Sequence, residues 1–204
     1  MRRRLSFFAA VGFVLVVLDQ WTKLVAVQYL TPAMKGLDTF SERLAVFYGD
    51  LRHPCQSATS RADCPEIPFW GGWWTHEYAE NPGAAWSFLA RADADFRVPF
   101  FVSLSAIALV AIVYFVRKLE PGQKLQLVAL SLVFGGALGN FIDRVRMGYV
   151  IDFIVWYIHT YRWPTFNVAD SAISTGVVLL LLETFFEKSD KVPAPEPQEA
   201  EKVG

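Results

Sequence analysis

Four long apolar stretches divide this chain, and about 20 apolar residues are what an α-helix needs to cross a bilayer. They run over residues 5–30, 98–116, 125–142 and 169–186, the first broken only by Asp19-Gln20-Trp21-Thr22-Lys23. A composition of 53% hydrophobic, 15% aromatic and 19% charged residues is too apolar for an ordinary soluble domain of 204 residues. The expected fold class is therefore an all-α membrane bundle of four transmembrane helices. A net charge of -1 gives no basic excess for tracking phosphates, so no nucleic acid partner is expected. The three histidines are scattered, and no His, Cys and carboxylate spacing resembles a metal site.

The first stretch follows Arg2-Arg3-Arg4, a beginning that also fits a cleavable signal peptide. No small-x-small cleavage site precedes Asp19, and apolar character resumes at Leu24, which favours a retained helix. Arg2 to Arg4, Arg117, Lys118, Lys124, Lys188 and Lys191 then fall on one side of the spans, the side expected to be cytoplasmic. Arg144, Arg146 and Arg162 weaken this bias without reversing it. Both termini are thus expected inside, with residues 31–97 and 143–168 facing outward, into a periplasm in a diderm bacterium.

The outer segments carry Trp70, Trp73, Trp74, Trp86, Trp156, Tyr157, Tyr161 and Trp163, rings that settle at the headgroup level, so they are expected to lie half in the membrane. The run from Phe69 to Trp74, followed by Ala84 to Phe88, has β-favouring aromatics punctuated by Gly and Pro. It reads either as a small sheet or hairpin lying on the membrane or as an aromatic belt with no substrate role. Cys55 and Cys64 share the outer loop and could form a disulfide in an oxidising compartment, which spacing alone does not decide. The segment from Ser189, with Pro193, Pro195, Pro197 and several Glu, reads as a disordered cytoplasmic tail, leaving residues 1–188 as the membrane domain.

Ionisable groups near a membrane boundary are costly unless paired or functional. Asp19 and Lys23 are four apart, on one helical face, and read as a structural ion pair. Asn140 and Asp143 lie one turn apart, after Gly135, Gly136 and Gly139, small residues that admit a neighbouring helix or a ligand. Asp143 beside Arg144 reads as a local brace, because a permanently charged guanidinium holds the carboxylate ionised. Asp152 sits between Ile151 and Phe153 with no basic neighbour, and Asp170 opens a helix with Asn167 one turn before it. An unpaired Asp in apolar surroundings holds its proton more tightly, and beside a second, ionised carboxylate the two can share a proton, as in aspartic proteases. On these grounds Asp143 and Asp152 remain rivals for the partner of Asp170.

In order along roughly residues 8–185, the blocks Asp19 to Lys23, Asn81-Pro82-Gly83-Ala84-Ala85-Trp86-Ser87, Gly135 to Arg144, Val150 to Phe153 and Phe166 to Ser171 resemble the bacterial lipoprotein signal peptidases. These form the signal peptidase II family of intramembrane aspartyl proteases. The resemblance implies a four-helix membrane bundle with a small β-rich periplasmic cradle and an outer loop lying on the membrane. It also implies cleavage of diacylglyceryl-modified prolipoproteins just before the lipidated cysteine, in the bacterial inner membrane, with membrane lipid as a further partner. No metal or cofactor is implied, and a monomer is expected. The family's catalytic pair falls on Asp152 and Asp170, with Asp19, Lys23, Asn81, Gly83, Gly136, Asn140, Asp143, Arg144, Val150, Asn167 and Ala169 as the supporting set. By the same resemblance Asn140 and Arg144 hold the substrate backbone, and Asn81 and Gly83 position the outer loop. Trp86 where a smaller aromatic is usual, Pro82 in the turn, and the long segment 36–68 depart from the family pattern.

Two readings from other classes compete. An ion-coupled transporter or proton relay would use Asp19, Lys23, Asp143 and Asp170 as its path. A membrane scaffold would explain the aromatic loop but not the Asp and Asn spacing.

Overall fold

A computed structural model describes residues 2–49, 51, 54–55, 64–83, 89 and 92–190, the last of these by backbone only beyond Phe185. In chain order the elements are α1 (Arg2–Leu30), α2 (Phe40–Tyr48), β1 (Ile67–Phe69), β2 (Trp74–Asn81), α3 (Ala94–Lys118), α4 (Lys124–Met147), β3 (Val150–Ile158), β4 (Tyr161–Arg162) and α5 (Val168–Asp190). The helices α1, α3, α4 and α5 are long and apolar enough to cross a membrane. The chain is a multi-pass membrane protein. Phe13, Leu104, Ile107, Val110, Leu181 and Phe185 stand exposed on these helices, an arrangement that only an apolar surrounding makes favourable.

Packed against α1, α3 and α5, the helix α4 forms the centre of the bundle. Its glycines permit this. A Cβ on Gly135 would come within 2.8 Å of Leu15 Cβ, one on Gly139 within 2.5 Å of Asp19 Oδ2, and one on Gly136 would run into the Ala169 carbonyl. The cluster is thus a packing device, bringing α4 against both α1 and the start of α5. At the basic end Phe8, Ile112, Val116 and Leu127 close the core, and Arg4 donates to the Leu119 carbonyl.

Past the apolar stretch that stops at Ile142, α4 continues to Met147, so Asp143 and Arg144 are helical residues. Gly148 ends it with φ +77°, a left-handed conformation that glycine adopts without strain, and its N–H bonds the Arg144 carbonyl at 3.0 Å. The chain then turns directly into β3.

Outside the spans, α2 starts with a reciprocal cap. Thr39 Oγ1 accepts from Glu42 N at 3.3 Å and Glu42 Oε2 accepts from Thr39 N at 3.0 Å. The helix sinks Phe47 into a core with Leu24, Val27, Met34, Leu51, Tyr149 and Ile151. Arg146 fastens it from α4, donating to the Phe47 carbonyl and lying over the Phe47 and Tyr48 rings. Cys55 and Cys64 are joined by a disulfide, their Cα atoms 6.0 Å apart, which links the segment after α2 to the approach to β1.

The sheet is antiparallel in the order β1-β2-β3-β4. The aromatic run 69–74 forms the turn of its β1–β2 hairpin, whose second strand extends on to Asn81. Its main partner strand, however, is β3, from the connection between α4 and α5, and not residues 84–88, which lie outside the described residues together with Trp86. Residues 150–155 are buried throughout, so β3 shows no apolar and polar alternation to betray it. Register shifts between His76 and Ala79, and Phe153 N and Ile154 N both donate to Phe166 O, at 3.1 and 2.9 Å. Asp152 is therefore flanked by a bulge on either edge of its strand, the device that re-aims a side chain within a sheet. Residues 191–204, most of the expected tail, lie outside the described residues.

Candidate active site

At the base of the site sits a closed ion cluster. Lys23 Nζ lies 2.8 Å from Asp19 Oδ2 and 2.7 Å from Asp143 Oδ2, with all three side chains buried. Buried charges are tolerated when each is paired and hydrogen-bonded, and here every member is. Asp19 Oδ1 accepts the Ala169 N–H at 3.1 Å, one of the unpaired donors at the start of α5. Asp143 Oδ2 accepts the Ile151 N–H at 3.3 Å. Gln20 Nε2 donates to Asp143 Oδ1 at 2.9 Å, with Asp19 Oδ2 at 3.3 Å and the Gly139 carbonyl at 3.4 Å also in reach. One cluster thereby ties α1 to α4, to the first turn of α5 and to β3.

This corrects the sequence reading of Asp143. It is a brace, but its charged partner is Lys23 across the bundle and not its neighbour Arg144. Successive helical residues point about 100° apart, which turns the guanidinium toward the end of β2, where it donates to the Gly83 carbonyl at 3.0 Å and lies 5.4 Å from the Phe101 ring centre. Asn81 Oδ1 receives the Gly83 N–H at 3.1 Å, a side chain closing its own turn. Asn81, Gly83 and Arg144 thus grip one turn after β2.

Above the cluster stand Asp152 and Asp170. Asn167 precedes α5 and Asp170 is the helix's third residue. Asn167 Oδ1 accepts the Asp170 N–H at 2.9 Å and Asp170 Oδ2 accepts the Asn167 N–H at 3.3 Å. The reciprocal cap that starts the helix also orients the carboxylate. Asn140, from α4, donates Nδ2 to Asp170 Oδ1 at 2.7 Å, while its Oδ1 accepts from Lys23 at 3.0 Å and from Asn167 at 3.1 Å. Asn167 Nδ2 reaches Asp152 Oδ1 at 2.7 Å, and Asn81 Nδ2 reaches Asp152 Oδ2 at 3.0 Å. Asn140 and Asn167 therefore connect both aspartates to each other and to the ion cluster, and Asn81 holds Asp152 by its other oxygen.

Asp152 is fully buried, and burial raises its carboxyl well above the usual carboxylate range. The charge of Asp170 raises it further, against the opposing pull of the Asn81 and Asn167 hydrogen bonds and of Lys23. Asp170, Asn81 and Arg144 are each partly exposed, so the site opens on their side. Two carboxyls so arranged, one of them holding its proton tightly, can share the deprotonation of a water and the protonation of a carbonyl oxygen.

The remaining expected residues support these. Val150 is buried and pairs with Asn81 across the sheet, Ala169 supplies its N–H to Asp19, and Gly136 admits the Ala169 backbone. Sequence reasoning gave no role to Gln20 or Phe101. Gln20 had a signal, an amide inside an apolar helix next to Asp19, whereas Phe101 is one of many aromatics in an uncharged stretch. Among the described residues no group of three or more His, Cys, Asp or Glu side chains is placed to hold a metal ion.

Residues 11–186 match the family model of signal peptidase (SPase) II. A lipoprotein signal peptidase from Anaeromyxobacter sp. (strain Fw109-5) is 44% identical over 182 residues, covering 87% of this chain and 83% of the relative. One from Geobacter sulfurreducens is 51% identical over 127 residues, 62% of this chain and 78% of the relative. Among solved structures, a bacterial membrane enzyme determined by the in meso method at 2.3 Å superposes with a TM-score of 0.69 at 28% identity, covering 94% of this chain and 95% of that one. With a match over nearly the whole membrane bundle and two aspartates held together at one end of it, the chain belongs to the signal peptidase II family and is a membrane protease.

Proposed function

We propose that this chain removes the signal peptide from diacylglyceryl-modified prolipoproteins, cutting before the lipidated cysteine, with Asp152 and Asp170 as its catalytic pair. The observation that carries the assignment is the continuous hydrogen-bonded path Asp152, Asn167, Asn140, Asp170, which joins the two carboxyls. Asp143, the rival, has its carboxylate committed to Lys23, Gln20 and the Ile151 backbone.

The reaction needs the pair to hold one proton between them, which the raised proton affinity of buried Asp152 favours. The ionised carboxyl takes a proton from a water, which attacks the scissile carbonyl carbon, and the protonated one donates to the carbonyl oxygen. The pair titrates together, so the two roles belong to the dyad. Asn140 and Asn167 fix the carboxyl orientations. Arg144, partly exposed beside the Gly83 turn, binds the substrate backbone, and Asn81 and Gly83 seat the outer loop against it.

The membrane domain spans residues 1–188, in the inner membrane, with both termini and the tail from Ser189 cytoplasmic and the pair at the periplasmic face. The sheet and α2 form a cradle for the extended substrate, and the lipid chains lie in the bilayer against the helices. A monomer contains every group named. The proton-relay reading loses its path, because Asp19, Lys23 and Asp143 close on one another in a single cluster.

Incubating the purified protein with a lipidated and an unlipidated precursor tests the reading. Cleavage of the lipidated precursor alone is expected. Equal cleavage of both, or of neither, would contradict it.

A further inference from the structure

Gln20 enters the buried cluster without a charge and without a place in the family's supporting set. Only 6% exposed, it directs Nε2 at three acceptors, Asp143 Oδ1 at 2.9 Å, Asp19 Oδ2 at 3.3 Å and the Gly139 carbonyl at 3.4 Å. Its Oε1 is buried with no hydrogen-bond partner among the described residues. An amide turned the other way would put its oxygen against two carboxylates, so the orientation is dictated by the acids, at the cost of an unsatisfied acceptor.

The charges call for a further donor, and burial favours one that is neutral. Asp19 and Asp143 face a single ammonium, so one positive charge meets two negative ones in a space closed to water. A second cation there would bring the desolvation cost of another buried charge, and an apolar side chain would leave Asp143 Oδ1 without this donor. The amide lends a hydrogen to the acids and adds no charge.

We propose that Gln20 is a positioning residue of the proteolytic reaction, acting through Asp143 on Asp152. Asp143 is held between Gln20 on one oxygen and Lys23 with the Ile151 N–H on the other. Ile151 is the residue before Asp152, so the rotation of the Asp143 carboxylate sets the backbone from which Asp152 projects. Freed from Gln20, Asp143 can turn toward Lys23 alone, and Asp152 shifts relative to Asp170. The inference rests on Asp152 and Asp170 being the catalytic pair.

The test uses the full-length protein in detergent or lipid with a lipidated precursor, comparing Gln20→Met and Gln20→Glu with the parent and with Asp152→Asn. Gln20→Met preserves length in an apolar helix and removes the donor. It is expected to lower kcat about tenfold or more, the effect of a sub-ångström misplacement, with KM within about twofold. Gln20→Glu, which turns donor into acceptor, is expected to lose more than Gln20→Met although it is the closer match in shape. A kcat for Gln20→Met within about twofold of the parent would overturn the proposal. So would a loss that vanishes on normalising to folded protein, or a Gln20→Glu variant more active than Gln20→Met. If Asp152→Asn itself keeps full activity, the dyad reading fails instead, so the two failures are distinguishable.

Discussion

Asn167 donates its side-chain amide to Asn140 Oδ1 at 3.1 Å, and this contact between the residue before α5 and the C-terminal part of α4 joins the two halves of the site. On one side the Asn167 amide touches Asp152, and on the other Asn140 touches Asp170 and Lys23. Both asparagines have their polar atoms engaged, which makes the arrangement stiff and sensitive to either member.

Asn167→Leu removes the donor to Asp152 and the cap of α5 in one change. Its kcat on a lipidated precursor should fall by on the order of 10²-fold, as expected when a reacting group moves by about 1 Å. Asn140→Leu should do the same through Asp170, and the two losses should be far from additive because both break one path. Single-turnover cleavage rates of the two variants and their double check this.

Lys23→Met leaves Asp19 and Asp143 buried with no cation between them. Breaking a buried pair by removing one partner costs about 3 to 5 kcal/mol. The thermal midpoint in detergent should fall sharply, and adding Asp143→Asn to Lys23→Met should recover part of it, since one of the stranded charges is then removed.

Gly136→Ala puts a methyl against the Ala169 carbonyl and 2.8 Å from Ile173 Cγ1. Backbone cannot yield as a side-chain tip does, so α4 and α5 must separate, a change of the kind that costs about 1 to 3 kcal/mol. Because Asn140 and Asp170 sit on the same two helices, activity should fall more than stability does. Gly122→Ala, where a Cβ meets nothing within 4 Å, is the control and should leave both unchanged.

These residues also show how far the sequence was legible. The four spans were plain, because about 20 apolar residues in a row suit little besides the interior of a bilayer. Asp19 with Lys23 was legible from helical spacing, and Asp170 from the helix it opens. What could not be read was anything depending on two distant segments. The pairing of β2 with β3 was hidden because β3 is buried on both faces, and the helix α2 because a nine-residue element leaves little periodicity. The partner of Asp143 was misread as its neighbour Arg144, since sequence adjacency says nothing about direction around a helix. The rivalry of Asp143 and Asp152 was undecided for the same reason, as the position of Lys23 relative to Asp143 is a property of the packed bundle.

Burial and the Asp170 charge raise the Asp152 carboxyl above its ordinary value near 3.9, which fixes the sign of a pH effect. The folded protein holds this proton over a range where the unfolded chain releases it. Its contribution to stability is full below about pH 3.9 and is lost as pH rises through the raised folded value. Cleavage should fall on the same alkaline side, as the pair loses its shared proton. In Asp170→Asn one cause of the elevation is gone, so the decline in stability should be smaller and level off at lower pH, measurable as unfolding midpoints across a pH series.

The central claim is that Asp152 and Asp170 perform the cleavage together. Its most direct test is the rate at which purified Asp152→Asn and Asp170→Asn variants process a lipidated precursor, measured beside the parent at equal amounts of folded, membrane-inserted protein. The account predicts that each substitution alone abolishes processing while thermal stability and precursor binding persist. Processing at or near the parent rate by either variant would contradict it.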